Sequence, residues 1–161
     1  MTRSGIGFDA HAFERGGDRP LVLGGVTIPD HPGLAGHSDA DVLSHAVADA
    51  LLGAAGLGDL GSRFPADERW RDASSLAILE ETAAQVLDAG YRIVYVDVTV
   101  VAEAPRLAPH RDAMRGNVAR ALGVDERNVS VKATTTDGLG FTGRGEGIAA
   151  LAVATIEPAE T

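Results

Sequence analysis

Apolar and polar positions alternate along "GIGFDAHAF" (5–13) and then give way to the turn-rich "ERGGDRP" (14–20), which predicts an opening strand around residues 6–8 followed by a loop. A short strand is expected over 21–28, "LVLGGVTI", and a loop over the Pro-, Gly- and Asp-rich 29–39. Val42, Leu43, Ala46, Ala50 and Leu51 form an apolar stripe at helical spacing, predicting a helix over 39–54 with Ser38 as N-cap, Asp41 as a weak capping-box partner and Gly53 and Gly56 near its end. Residues 56–72 carry no period and read as a long loop, of the length that often serves as an active-site lid. The helical period resumes over 73–89, with Leu76, Leu79, Ala83, Val86 and Leu87 on one face and Gly90 as stop. "RIVYVDVTVVA" (92–102) is the densest β-branched run, and its Val94, Val96, Val98 and Val100 predict one buried face. A helix over 109–123, opened by Pro109 and closed by Gly123, and strands over 128–135 and 147–156 complete the order β, β, α, α, β, α, β, β. The expected fold is an α/β (α+β) sandwich, a mixed sheet with helices mainly on one face, nearest to a ferredoxin-like βαβ arrangement.

Composition narrows the class. At 161 residues, 45% hydrophobic and 23% charged, one domain spanning 1–161 is expected, with no repeat or linker. The absence of cysteine excludes disulfides, thiolate metal sites and thiol catalysis. No basic-then-apolar leader and no membrane-length apolar run is visible, so a cytoplasmic location is the expectation. Fourteen Lys and Arg stand against 23 Asp and Glu, a net charge of −9, and no basic stripe suggests nucleic acid. An acidic chain can still take a polyanion if divalent ions stand between them.

Three stretches carry candidate chemistry. Asp9 and His11, two apart on a strand, point the same way, which is either two thirds of a zinc site or a coincidence. His45 lies mid-helix between Asp41 and Asp49, one turn on each side; it is either an exposed residue in i,i+4 pairs or a third ligand. Asp, His and His with an open fourth position is the catalytic zinc pattern, and the set also suits manganese or cobalt. His37 and Ser38 at a helix mouth suit a phosphate, or Ser38 is a plain cap. "VKATTTDGLGFTGRGEG" (131–147) joins three threonine hydroxyls, Asp137 and four closely spaced glycines, a set suited to a metal-bound diphosphate or to a Gly-rich hairpin; it is not a Walker A loop.

Taken jointly, "GFDAHAF", "GHSDADVLSHAVADALLGAAGLGDLG", "VDVTVVAEAPRLAPH" and "VKATTTDGLGFTGRGEG" closely resemble the 2-C-methyl-D-erythritol 2,4-cyclodiphosphate synthase family over about residues 3–156. No cytidylyltransferase region precedes them, so the stand-alone form is expected. The resemblance implies a homotrimer with active sites between subunits, working in the non-mevalonate isoprenoid pathway. Its reaction is closure of the cytidine diphosphate-linked erythritol 2-phosphate to a cyclic diphosphate with loss of CMP. It assigns Asp9, His11 and His45 to zinc or another divalent ion, and Asp137 to a second ion, magnesium or manganese, bridging the diphosphate. His37 and Thr135 would polarise the phosphates, with Ser38 beside them. Asp59 and Gly61 would hold the erythritol hydroxyls under a cover over 62–72 that includes Phe64, Asp67 and Glu68. Ala102, Pro105, Arg106, Leu107, Ala108, Ala133 and Thr134 would form the neighbouring subunit's cytidine pocket, with Thr136 and Phe141 nearby. Phe8, Arg144 and Glu146 map to a central channel with room for an isoprenoid diphosphate.

Three departures stand out: Asp137 where Glu is common, "FPADE" (64–68) where F-P-D-T-D is common, and Arg106 where Lys is common. A phosphohydrolase using the same metal, or a binding module with structural zinc and a fourth ligand from His31, His37 or His110, would be the rival readings.

Overall fold

In a computed structural model, which describes residues 1–160, the elements run β1 (Arg3–Ala12), β2 (Leu21–Leu23), β3 (Val26–Ile28), α1 (Val42–Ala55), α2 (Leu60–Arg63), α3 (Ser75–Asp88), β4 (Tyr91–Val101), α4 (Arg111–Leu122), β5 (Val129–Thr134), α5 (Gly140–Gly143) and β6 (Gly147–Pro158). One mixed sheet has the order β1-β6-β4-β5, antiparallel except for the parallel pair β4 and β5. The expected βαβ unit is β4–α4–β5, because parallel neighbours need a crossover and α4 supplies it. Helices α1, α3 and α4 pack on one face: α1 against β1 and β6, α3 against β4, α4 against β5. No helix among the described residues is long and apolar enough to cross a membrane.

Helix α1 is buried almost all round, between the sheet and α3. It reaches the sheet through small residues. A methyl group on Gly7 would lie 1.9 Å from the Ala46 carbonyl oxygen, and one on Gly5 2.1 Å from that of Ala50. Strand β6 answers with Ala150, Ala152 and Ala154, all buried. This closeness brings His45 on α1 to the end of β1.

Four expectations need correction. The strand over 21–28 is a hairpin, β2 and β3, because Gly24 and Gly25 both take positive φ (55° and 71°), the conformation a tight two-residue turn demands. Helix α1 starts three residues late: its N-cap is Asp41, whose carboxylate accepts from Ser44 N at 3.0 Å, and Ser38 lies outside it. The same carboxylate accepts from the backbone nitrogens of Gly24 and Gly25 at 2.9 and 2.8 Å, tying the hairpin to the helix. The stretch 56–72 is folded: α2 opens with a reciprocal Asp59–Ser62 capping box, and Phe64 meets Trp70 edge-on at 4.7 Å. In β4 a bulge shifts the register between Ile93 and Tyr95, so Val96, Val98 and Val100 are fully buried but Val94 is not.

Candidate active site

Strand alternation places Gly5, Gly7, Asp9 and His11 on the helix side of β1, and the last two come level with the first turns of α1. Asp9 Oδ2 lies 2.9 Å from His11 Nε2 and 3.1 Å from His45 Nδ1. One ligand atom from each of the three residues falls within 4.8 Å of the others. The outer ring nitrogens are tied: His11 Nδ1–H donates to the Ala35 carbonyl at 2.7 Å, and His45 Nε2 lies 3.1 Å from Ser38 Oγ and 3.0 Å from Ser75 Oγ. His45 is therefore buried in a polar cage; its neighbours on the helix bond elsewhere, Asp41 as above and Asp49 to Leu60 N at 3.1 Å.

Burial pushes the Asp9 carboxyl up, but the two imidazoles beside it outweigh this and hold it below the ordinary carboxylate range. The Asp9 carboxylate beside it raises His11 above the usual imidazole value against the opposing effect of burial. His11 Nε2 is buried, and its approach to Asp9 lacks the alignment of a hydrogen bond. An unpartnered buried nitrogen beside a carboxylate and a second imidazole fits a divalent cation, and two nitrogens with one oxygen suit zinc, manganese or cobalt. Asp9, His11 and His45 thus form a candidate metal-binding triad.

The other expected residues fall into two groups. His37, Ser38 and Phe64 line a pocket with His11 and His45, closed by Leu60, Trp70 and Ile78. Asp59 and Gly61 line an adjoining hollow of about 370 Å³ with Phe8, Asp9, His45 and Asp49. His37 Nε2–H donates to the Asp67 carbonyl at 2.7 Å. The Asp67 carboxylate caps the 3-10 turn Glu68–Trp70, and Glu68 pairs with Arg71 at 2.9 Å, so both acids face local partners. His31 packs on Phe13, His110 opens α4, and neither joins the triad.

The second group shares no lining residue with the first. Leu107, Ala108 and Ala133 line a small pocket of about 90 Å³ with Val100, Arg111, Met114, Val131 and Lys132. Ala102 N donates to the Thr134 carbonyl at 3.0 Å, joining the segment that carries Pro105 and Arg106 to the end of β5. Thr135 Oγ1 donates to Asp137 Oδ1 at 3.1 Å, and Asp137 sits at a positive φ of 51°. Glu103 accepts from Thr136 N and Gly138 N at 3.1 and 3.3 Å and so shapes this loop. Thr136 Oγ1 contacts Leu139 and Thr142, Phe141 is half exposed on α5, and Arg144 pairs with Glu146 in a fork of two 3.1 Å contacts.

Sequence reasoning missed Ser75, Asp39 and Trp70 as parts of the site. Ser75 comes 30 positions after His45, and no local period marks such a pairing.

The YgbB family description matches residues 2–157. A relative from Moorella thermoacetica, named 2-C-methyl-D-erythritol 2,4-cyclodiphosphate synthase, is 61% identical over 94% of this chain and 92% of its own. The CDP complex of IspF from Plasmodium falciparum superposes with a TM-score of 0.86 at 31% identity, over 99% of this chain and 97% of that one. The bifunctional IspDF of Campylobacter jejuni gives a TM-score of 0.94 at 42% identity; 99% of this chain is covered but only 43% of that longer one. With the triad at the join of β1 and α1 and agreement running from one end of the described fold to the other, the chain belongs to the YgbB family.

Proposed function

We propose that this protein is a 2-C-methyl-D-erythritol 2,4-cyclodiphosphate synthase of the isoprenoid precursor pathway. Its substrate is 4-diphosphocytidyl-2-C-methyl-D-erythritol 2-phosphate, and it releases CMP. The observation that carries this reading is the Asp9–His11–His45 triad with its unpartnered His11 nitrogen, in a chain whose named relatives are synthases and one of whose structural neighbours holds CDP.

The nucleophile, an oxygen of the 2-phosphate, is already anionic, so no strong base is needed. It attacks the β-phosphorus, and the bridging oxygen leaves with CMP. The task for the protein is to fold the substrate back on itself and to place donors where charge spreads. Asp9, His11 and His45 would hold zinc or a like ion, which supplies Lewis-acid polarisation of a phosphate oxygen and a fixed template. Asp137 would serve a magnesium or manganese ion on the diphosphate. His37 and Ser38 orient phosphate oxygens from one side and the Thr135 hydroxyl from the other. Asp59, with the Gly61 backbone, accepts from the erythritol hydroxyls. Leu60, Phe64 and Trp70 exclude water, which favours ring closure over hydrolysis. Ala102 to Ala108, with Ala133 and Thr134, take the cytidine.

The two groups act together when copies of the chain assemble as a homotrimer. On the sheet face away from the helices, β1 and β6 expose large apolar side chains: Ile6 is 66% exposed, Phe8 59%, and Leu151 and Val153 44% each. Adjacent strands pair Phe8 with Leu151 and Ile6 with Val153, so these form one patch of the kind that marks a subunit interface. Leu151→Arg is expected to convert the trimer to monomer in light scattering and to stop turnover with the fold intact. A trimer of unchanged mass would remove this face from the interface.

Phosphorus NMR of the zinc- and magnesium-loaded protein with the cytidylyl substrate tests the reading. Two coupled cyclic-diphosphate signals with CMP support it; inorganic phosphate or a linear product overturns it. Asp137→Ala should flatten the magnesium dependence of the rate, and an unchanged titration would take Asp137 out of the site.

A further inference from the structure

We propose that Ser75 and Asp39 are positioning residues for the metal centre. The Asp39 carboxylate accepts a hydrogen bond from the Ser75 hydroxyl, and that hydroxyl oxygen accepts one from His45 Nε2–H, leaving Nδ1 without a hydrogen toward Asp9 and His11. The inference rests on the reading of those three residues as metal ligands.

The hydrogen-bond directions lead to this arrangement. The Ser75 hydroxyl donates to Asp39 Oδ1, so its hydrogen is committed there. The remaining Ser75 lone pairs face His45 Nε2 at 3.0 Å, which must then carry the hydrogen. The opposite ring nitrogen, Nδ1, is the one 3.1 Å from Asp9. A carboxylate acting through a hydroxyl thus selects the ligating tautomer of the imidazole, as a directly bonded carboxylate or carbonyl does in many metal sites. For His11 the Ala35 carbonyl has that part.

Asp39 is itself fixed. Its Oδ2 accepts from Ser75 N at 2.9 Å, and its Oδ1 from Asp41 N at 3.2 Å. Ser74, at the N-cap position of α3, makes no capping bond, so Asp39 satisfies the start of α3 from a distant loop. Ser75 is fully buried, and ordering α3 orders the relay. Ser38, the other hydroxyl near Nε2, accepts from Ala40 N at 3.4 Å and keeps its hydrogen uncommitted, free for a phosphate. The two serines divide the work: Ser75 serves the metal ligand and Ser38 the substrate.

The test is zinc affinity by chelator competition on wild type, Ser75→Ala and Asp39→Asn, with the unfolding temperature of each metal-free protein. Ser75→Ala keeps the backbone bond to Asp39 and removes only the relay, so zinc binding should weaken about 10- to 100-fold with little change in unfolding temperature. Asp39→Asn should weaken it about tenfold or more, because in either amide orientation its NH₂ confronts one of the three donors. Folded Ser75→Ala binding zinc within about twofold of wild type would overturn the relay; if that variant does not fold, Asp39→Asn decides by the same criterion. In ¹⁵N-histidine spectra of the zinc-loaded wild type, a slowly exchanging proton on His45 Nε2 is expected to be lost in Ser75→Ala, and a fast-exchanging one in wild type counts against the proposal. Wild type that binds no zinc would instead sink the metal reading beneath it.

Discussion

Asp9→Ala should lower turnover by about a thousandfold or more while the protein stays folded. One Asp9 oxygen meets both imidazoles, so no other side chain of the triad can replace it. Losing a single preorganised electrostatic partner costs about 10²–10³ in rate, and on the proposed function the ion held by the triad would be lost as well. The core does not rest on Asp9: the apolar residues between sheet and helices remain, and far-UV dichroism should be unchanged. Zinc content after dialysis and cyclic-diphosphate formation are the two readouts. A variant that keeps both would remove Asp9 from the centre.

Gly7→Ala is the largest expected loss of stability. Its methyl group would meet the Ala46 carbonyl oxygen at 1.9 Å and Ala50 N at 2.7 Å, both backbone atoms that no rotamer change can move. Helix α1 would have to retreat by about an ångström or more to restore ordinary contact. Overpacking costs about 1–3 kcal/mol where side chains can yield, and a rigid backbone clash places this at about 3 kcal/mol or above. The urea midpoint should fall accordingly, and metal affinity with it, because the same retreat carries His45 from Asp9. Gly53→Ala gives the internal control. Its methyl group would find nothing closer than 4.0 Å, and the change should stabilise α1 by about 0.5–1 kcal/mol. Equal destabilisation by both changes would refute the close-packing argument.

What could be read from sequence followed the range of the interaction. The strand placing Asp9 beside His11 and the apolar face of β4 are matters of local alternation, and both were legible apart from the bulge at Val94. The cap of α1 was not, because residues 38, 39 and 41 are all good capping types and only the Gly24–Gly25 turn, meeting the Asp41 carboxylate, decides among them. Stretch 56–72 hid its structure because a capping box and one aromatic pair hold it, and neither has a period. Within the site, residue type alone left His45 open between surface helix and ligand, and the resemblance gave it the ligand role. Ser75 and Asp39 lie beyond both kinds of reading: their link to His45 exists only once α3 has docked against α1.

One of the two edge strands, β1, pairs with β6 across nearly the whole chain, and the contact between Ser4 and Thr155 spans 151 positions. Closing so long a segment carries its entropy cost before the contact returns any benefit, and topologies dominated by such pairs fold slowly. During synthesis β1 has to wait for β6. Until β6 arrives, β1 has an unpaired edge, and Asp9 and His11 have no sheet to hold them against α1. A nascent chain therefore cannot assemble the Asp9–His11–His45 triad until β6 has been made.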